Sequence, residues 1–266
     1  MTCIATPSQA LHPGVDPRRV SRHHRGMNIL RSPFWATTWR LIKDEVGLLV
    51  ALAIVTGGLL GFLAIADEVI EGETAAFDRA VLLAFRQPGD PAATVGPHWL
   101  PAVALDITAL GSIAVLSLIV VFTVSYLVLV RKRHAALFVL VAVLGGLGLS
   151  SALKALVGRI RPDLVPGAPV ELSASFPSGH AMLSAVTYLT LGALLTRVET
   201  DRRARPFFLV VAVILTLMVG YSRVYIGVHW PTDVLAGWCL GAAWATLCWM
   251  VALWLQRRGQ IEPAGA

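Results

Sequence analysis

The chain has 266 residues, of which 56% are hydrophobic and only 14% charged, with a mean hydropathy of +0.70. A soluble domain carries about a quarter charged residues, so this composition excludes an ordinary water-soluble fold and points to a bilayer. The net charge of +6 would suggest nucleic acid in a soluble protein, but here the basic residues sit in short loops between apolar runs, and no nucleic-acid partner is expected.

Residues 1–43 are polar and arginine-rich, with Pro7, Pro13, Pro17 and Pro33. No apolar stretch follows the early charges, so a cleaved signal peptide is not expected. Residues 1–30 read as a mostly disordered tail within a cytoplasmic segment 1–43. Six apolar runs follow: Val46 to Ala66, Ile113 to Val130, Ala135 to Val157, His180 to Leu195, Phe207 to Tyr221 and Pro231 to Leu255. Each approaches the roughly 17–25 residues that a spanning helix needs. The expected fold is therefore all-α, a polytopic membrane domain of six transmembrane helices over 44–256, followed by a short tail at 257–266. Gly145, Gly146, Gly148, Ala242 and Ala243 are small enough to let neighbouring helices approach closely. Cys239 and Cys248 lie inside the last run and read as packing residues; Cys3 lies in the tail.

Sixteen Lys and Arg residues fall on the side of the two termini and six on the other. That asymmetry predicts both termini in the cytoplasm. The loop from Asp67 to Ser112 then lies outside. It holds an amphipathic piece in which Phe77, Val81, Ala84 and Phe85 share a helical face, predicting an interfacial helix. His98 to Leu110 is a candidate for a second.

Three clusters carry chemistry, and all fall on the outside face. Lys154 lies within the third apolar run, where a cation is costly and so marks function. Arg161 follows two helical turns later, next to the helix-limiting Pro162. Two cations at one helix end make a receptor for an anion. The second cluster, Ser175-Phe176-Pro177-Ser178-Gly179-His180, opens the fourth span. A serine N-cap, a glycine and the free N–H groups of a helix start suit phosphate, and His180 is placed to donate a proton. The third comprises Ser222, Arg223, His229 and Asp233. A carboxylate four residues after a histidine can hold one ring nitrogen protonated and leave the other as a nucleophile. Arg223 adds a planar donor fork for phosphate oxygens. Together these groups supply the positive charge, base and acid that a phosphoryl centre needs. No cluster of carboxylates suggests metal-assisted hydrolysis, so neither a metal nor another cofactor is expected.

Lys-x6-Arg-Pro (Lys154 to Pro162), Pro-Ser-Gly-His (Pro177 to His180) and Ser-Arg-x5-His-x3-Asp (Ser222 to Asp233) resemble, in order, the three signatures of the type 2 phosphatidic acid phosphatase (PAP2) superfamily. The resemblance covers about residues 45–256 and implies a membrane lipid phosphatase. It implies that His229 attacks phosphorus to give a phosphohistidine, Asp233 orients His229, and His180 protonates the leaving oxygen. Lys154, Arg161, Ser178, Gly179 and Arg223 would hold the phosphate oxygens. Candidate substrates are undecaprenyl pyrophosphate, phosphatidylglycerophosphate and phosphatidate. A lipid-linked phosphotransferase of the same superfamily is the alternative, and an anion transporter a more distant one.

Overall fold

The structure, a computed structural model, describes residues 33–169 and 173–258, with side chains from Glu45 onward. It divides into two units, Met1–Glu45 and Val46–Ala266. The expectation of disorder over 1–30 and the tail beyond Arg258 lie outside the described residues. Eight helices and one hairpin follow in chain order: α1 Pro33–Glu71, α2 Ala75–Ala84, β1 Arg86–Gln87, β2 Asp90–Thr94, α3 Leu100–Ala109, α4 Ile113–Leu129, α5 Arg133–Val157, α6 Gly179–Val198, α7 Arg205–Tyr225 and α8 Pro231–Arg257.

Among the described residues, five helices are long and apolar enough to cross a membrane, and a sixth span results if α3 and α4, bent by 44°, are taken as one. The expected second span is α4, which has 17 residues. The bend is set by local chemistry. Ser112 caps α4 by accepting from the Val115 N–H at 3.3 Å, a favoured N-cap geometry. The piece expected as a second interfacial helix is α3. It packs on the end of α7, with Ala104 buried beside Tyr225, Ile226 and Val228.

The bundle is organised around α6. Over their most apolar stretches α6 is 56% buried and α1 only 11%, so α6 is central and α1 turns most of its surface outward. This explains why α6 can carry Ser184, Thr187 and Thr190, all buried: it meets protein rather than lipid. α8 approaches α6 through Gly237 and Gly241. A Cβ at Gly237 would lie 2.8 Å from the Ser178 carbonyl oxygen, and one at Gly241 would lie 2.7 Å from that of Met182. This small-xxx-small spacing brings the starts of both helices together. Of the glycines expected to serve packing, Gly145 and Gly146 do so against Trp244 and Val186, whereas nothing lies within 4 Å of a Cβ at Gly148.

At the end of the bundle where α6 and α8 begin, α2 and the hairpin form a cover. α2 matches the expected amphipathic segment, but its inward residues are Asp78 and Leu82, both buried, while Phe77 is half exposed. The side turned to the protein therefore carries an acid, for a reason given below. The hairpin was not expected. Its turn at Pro88-Gly89 has Gly89 at φ +84, the conformation a type II turn demands of glycine. Arg86, buried at 4% exposure, donates from Nη2 to the Tyr225 carbonyl at 2.7 Å. This satisfies a backbone group at the end of α7, where the helix can no longer do so.

Candidate active site

His229 sits in the loop between α7 and α8 and is 1% exposed. The loop is shaped by Gly227 at φ +83, by the Val228 N–H donating to the Arg223 carbonyl, and by Pro231 at the first turn of α8, where proline costs no hydrogen bond. Asp233 then points back from that first turn. Its Oδ2 lies 3.2 Å from His229 Nδ1. On the other side of the ring, Nε2 lies 3.0 Å from Arg161 Nη1. A guanidinium only donates, so Nε2 bears the lone pair and Nδ1 the hydrogen, which goes to Asp233. Burial pushes the His229 imidazole down to about 4, against the opposing pull of Asp233. The ring is thus neutral near pH 7, with its free electron pair on the side of the cations.

Asp233 is completely buried and fully engaged. Its Oδ2 accepts from the Ser175 hydroxyl, from His229 Nδ1 and from the Trp230 N–H at 3.0 Å. Its Oδ1 accepts from Arg159 Nη1 at 2.6 Å. Four donors, one of them a guanidinium, compensate the buried carboxylate, which is what makes a buried charge tolerable.

Of the groups expected to hold phosphate, Arg161 lies against the free side of His229, and Arg223 is near enough to act on the ring electrostatically. Arg161 is held as a fork: Nε and Nη2 donate to the carbonyl and hydroxyl of Ser173, and Nη1 also donates to the Val228 carbonyl at 2.8 Å. Lys154, in the last turn of α5, donates to the Ala174 carbonyl. It lies against the start of α6, since a Cβ on Gly179 would come within 3.5 Å of its Cε. Ser178 is the N-cap of α6, and its own N–H donates to the Asp233 carbonyl at 2.9 Å. Its buried hydroxyl has no hydrogen-bond partner among the described residues, and a phosphate oxygen would supply one. Arg223, 3% exposed, donates from Nη1 to Thr108 of α3. His180 stands in the first turn of α6 against the α3–α4 bend, where a Cβ on Gly111 would reach its ring at 3.4 Å.

Three residues here were not anticipated as site residues, Arg159, Asp78 and Thr232, while Ser175 opened the second cluster without an assigned role. Arg159 counted only as one of six charges on its side of the membrane, although it lies two residues before Arg161 in the same loop. Asp78 shares the buried side of α2 with Leu82, four residues on.

A polytopic helical bundle that holds a neutral, acid-paired histidine against an arginine suits a membrane enzyme of phosphate chemistry. The chain belongs to the PAP2 superfamily, which matches residues 135–257, and it is a phosphatase of that group. It is 32% identical over 179 residues to phosphatidylglycerophosphatase B of Bacillus subtilis, covering 67% of this chain and 82% of that one. It is 32% identical over 127 residues to an undecaprenyl-diphosphatase of Sulfolobus acidocaldarius, covering 45% and 56%. The crystal structure of a transmembrane PAP2-type phosphatidylglycerolphosphate phosphatase from Bacillus subtilis superposes with a TM-score of 0.70 at 29% identity, covering 77% of this chain and 98% of that one.

Proposed function

We propose that the chain hydrolyses a membrane lipid phosphate at the extracytoplasmic face of the cytoplasmic membrane, through a phosphohistidine on His229 and without a metal. The observation that carries this reading is the orientation of His229: neutral, with Nδ1–H on Asp233 and the Nε2 lone pair facing Arg161. In the first step Nε2 attacks phosphorus, the bond to the lipid oxygen breaks, and His180 gives that oxygen a proton. In the second, water attacks phosphorus, its proton passes to His180, the N–P bond breaks with its electron pair returning to Nε2, and orthophosphate leaves. Lys154, Arg161, Arg223, the Ser178 hydroxyl and the start of α6 at Gly179 stabilise the charge on the equatorial oxygens. The excess of basic residues on the side of the termini supports a cytoplasmic tail and an outside site.

Phosphatidylglycerophosphate, undecaprenyl pyrophosphate and phosphatidate are the substrates to compare, and the first two also correspond to the names of the relatives. Phosphate release from these three in detergent micelles containing EDTA tests the reading. His229→Ala and His180→Ala are expected to lose release while keeping their melting profile. Full activity in His229→Ala would refute the nucleophile, and loss of wild-type activity in chelator would refute the metal-free step.

A further inference from the structure

Arg159 occupies a free position of Lys-x6-Arg-Pro, where the signature prescribes no residue, yet its guanidinium makes four hydrogen bonds. Nη1 donates to Asp233 Oδ1 at 2.6 Å and to Thr232 Oγ1 at 2.8 Å. Nη2 donates to Asp78 Oδ2 at 2.6 Å and to Thr74 Oγ1 at 3.0 Å. Asp78 in turn accepts from the backbone N–H and the hydroxyl of Thr232 at 3.0 and 2.7 Å. A single guanidinium therefore bridges two buried carboxylates, one on the covering helix α2 and one at the start of α8. The side chain is itself 15% exposed.

We infer that Arg159 is a positioning residue for the reaction, and that α2 takes part in it through Asp78. The physical argument is directional. Asp233 must present Oδ2 to His229 Nδ1, and a carboxylate pivots about its own bond unless its second oxygen is fixed. Arg159 fixes Oδ1. The arginine could turn toward solvent unless its other end is fixed, and Asp78 with Thr74 fixes that. The chain of contacts runs α2–Arg159–Asp233–His229, and every link is a charge-assisted hydrogen bond or an ion pair. Arg161 faces the substrate side of His229 at Nε2, so Arg159 acts on the ring from the opposite side and does not touch substrate. Lysine cannot reproduce the bridge, because an ammonium lacks the planar fork.

A groove of about 580 Å³ opens on this network, with Thr74, Asp78, Arg159 and Trp230 among its walls. It gives small ions a path to the place the guanidinium occupies, which supplies a decisive test. Arg159→Ala is assayed on dioleoyl phosphatidate in detergent micelles. The expected result is a fall in kcat of about 10²-fold, the scale for a misplaced catalytic group, with KM within about threefold of wild type. Millimolar guanidinium chloride is expected to restore kcat severalfold, and sodium chloride at equal concentration to restore none. Asp78→Asn is expected to lower kcat about 10-fold and to add little to Arg159→Ala, because both break one chain of contacts.

A rise in KM with unchanged kcat would overturn the inference in favour of substrate binding, and equal losses with no guanidinium rescue would overturn it in favour of a structural role. If Arg159→Ala does not fold, Arg159→Lys decides: wild-type kcat there overturns the inference, and a fall at unchanged KM supports it. The inference rests on the His229 reading, and His229→Ala measured in parallel separates the two. Activity there refutes the nucleophile, whereas loss there with normal kcat in Arg159→Ala refutes only the positioning role.

Discussion

Gly237→Ala puts a single methyl group at a close approach of α6 and α8. The new Cβ would lie 2.8 Å from the Ser178 carbonyl oxygen, 3.1 Å from Ala181 Cβ and 3.2 Å from Met182 N. A carbon and a carbonyl oxygen rest at about 3.4 Å, so the start of α6 must retreat by roughly 0.6 Å. No flexible side chain can absorb that, because two of the three neighbours are backbone atoms. Ser178, Gly179 and His180 move with the helix, while His229 and Asp233 stay with α8. A 1 Å misplacement costs about 10²-fold in rate, so kcat is expected to fall roughly 10-fold. Overpacking costs about 1–3 kcal/mol, partly offset by the roughly 1 kcal/mol helix preference of alanine over glycine. Gly148→Ala is the control: nothing lies within 4 Å of its new Cβ, and it should leave kcat unchanged and stability equal or slightly higher. Phosphate release and thermal unfolding of both variants in the same detergent measure this. A Gly237→Ala enzyme with wild-type kcat would refute the claim that this contact sets the spacing of His180 and His229.

Three other outcomes can be measured. An unfolded imidazole charges near 6.5, but His229 in the folded protein stays neutral to about 4; its contribution to stability is therefore complete above pH 6.5 and is lost as pH falls toward 4, by roughly 3 kcal/mol, and melting curves of wild type against His229→Gln at pH 7, 5 and 4 should show the variant losing less. Arg161→Lys keeps the charge but not the fork that spans Ser173, Val228 and His229, so kcat/KM should fall about 10²-fold, and a steady-state assay with less than a threefold change would contradict the role of the fork. Gly227→Ala would force a non-glycine residue to φ +83 with its Cβ 2.6 Å from Val165 and 2.9 Å from Arg86 Nη2; the cost of about 1–3 kcal/mol should lower the unfolding temperature, read by differential scanning fluorimetry.

The spans were legible in the sequence because lipid demands long apolar runs, and nothing in the loops imitates that signal. Several candidate site residues stood out for a related reason. A lysine inside an apolar helix and a histidine four residues before an acid are each out of place, and Lys154, His229 and Asp233 stood out accordingly. Arg159 and Asp78 were illegible because each is ordinary where it stands: one more arginine in a basic loop, and an acid on a short amphipathic helix. Their meaning lies in a contact between positions 81 apart in sequence, which no local spacing encodes. The hairpin was missed for a different reason. Its strands of two and five residues are too short for alternation to show, and only Pro88-Gly89 marks the turn. The α3–α4 bend was half visible, since the gap between the two apolar pieces suggested separate helices but not that one continues the other.

The cover over the site also bears on how the protein is made. Asp78 is synthesised 154 positions before its partner Thr232, and Arg86 139 positions before Tyr225. At about 5–20 residues per second, the covering segment waits on the order of 10–30 s for the last two helices to emerge. During that interval Asp78 lacks its Thr232 donors and Arg86 the carbonyl it donates to, so both must remain in water. The catalytic centre is therefore completed last, when α8 arrives, and a nascent chain lacking its C-terminal helix would be inserted in the membrane yet inactive.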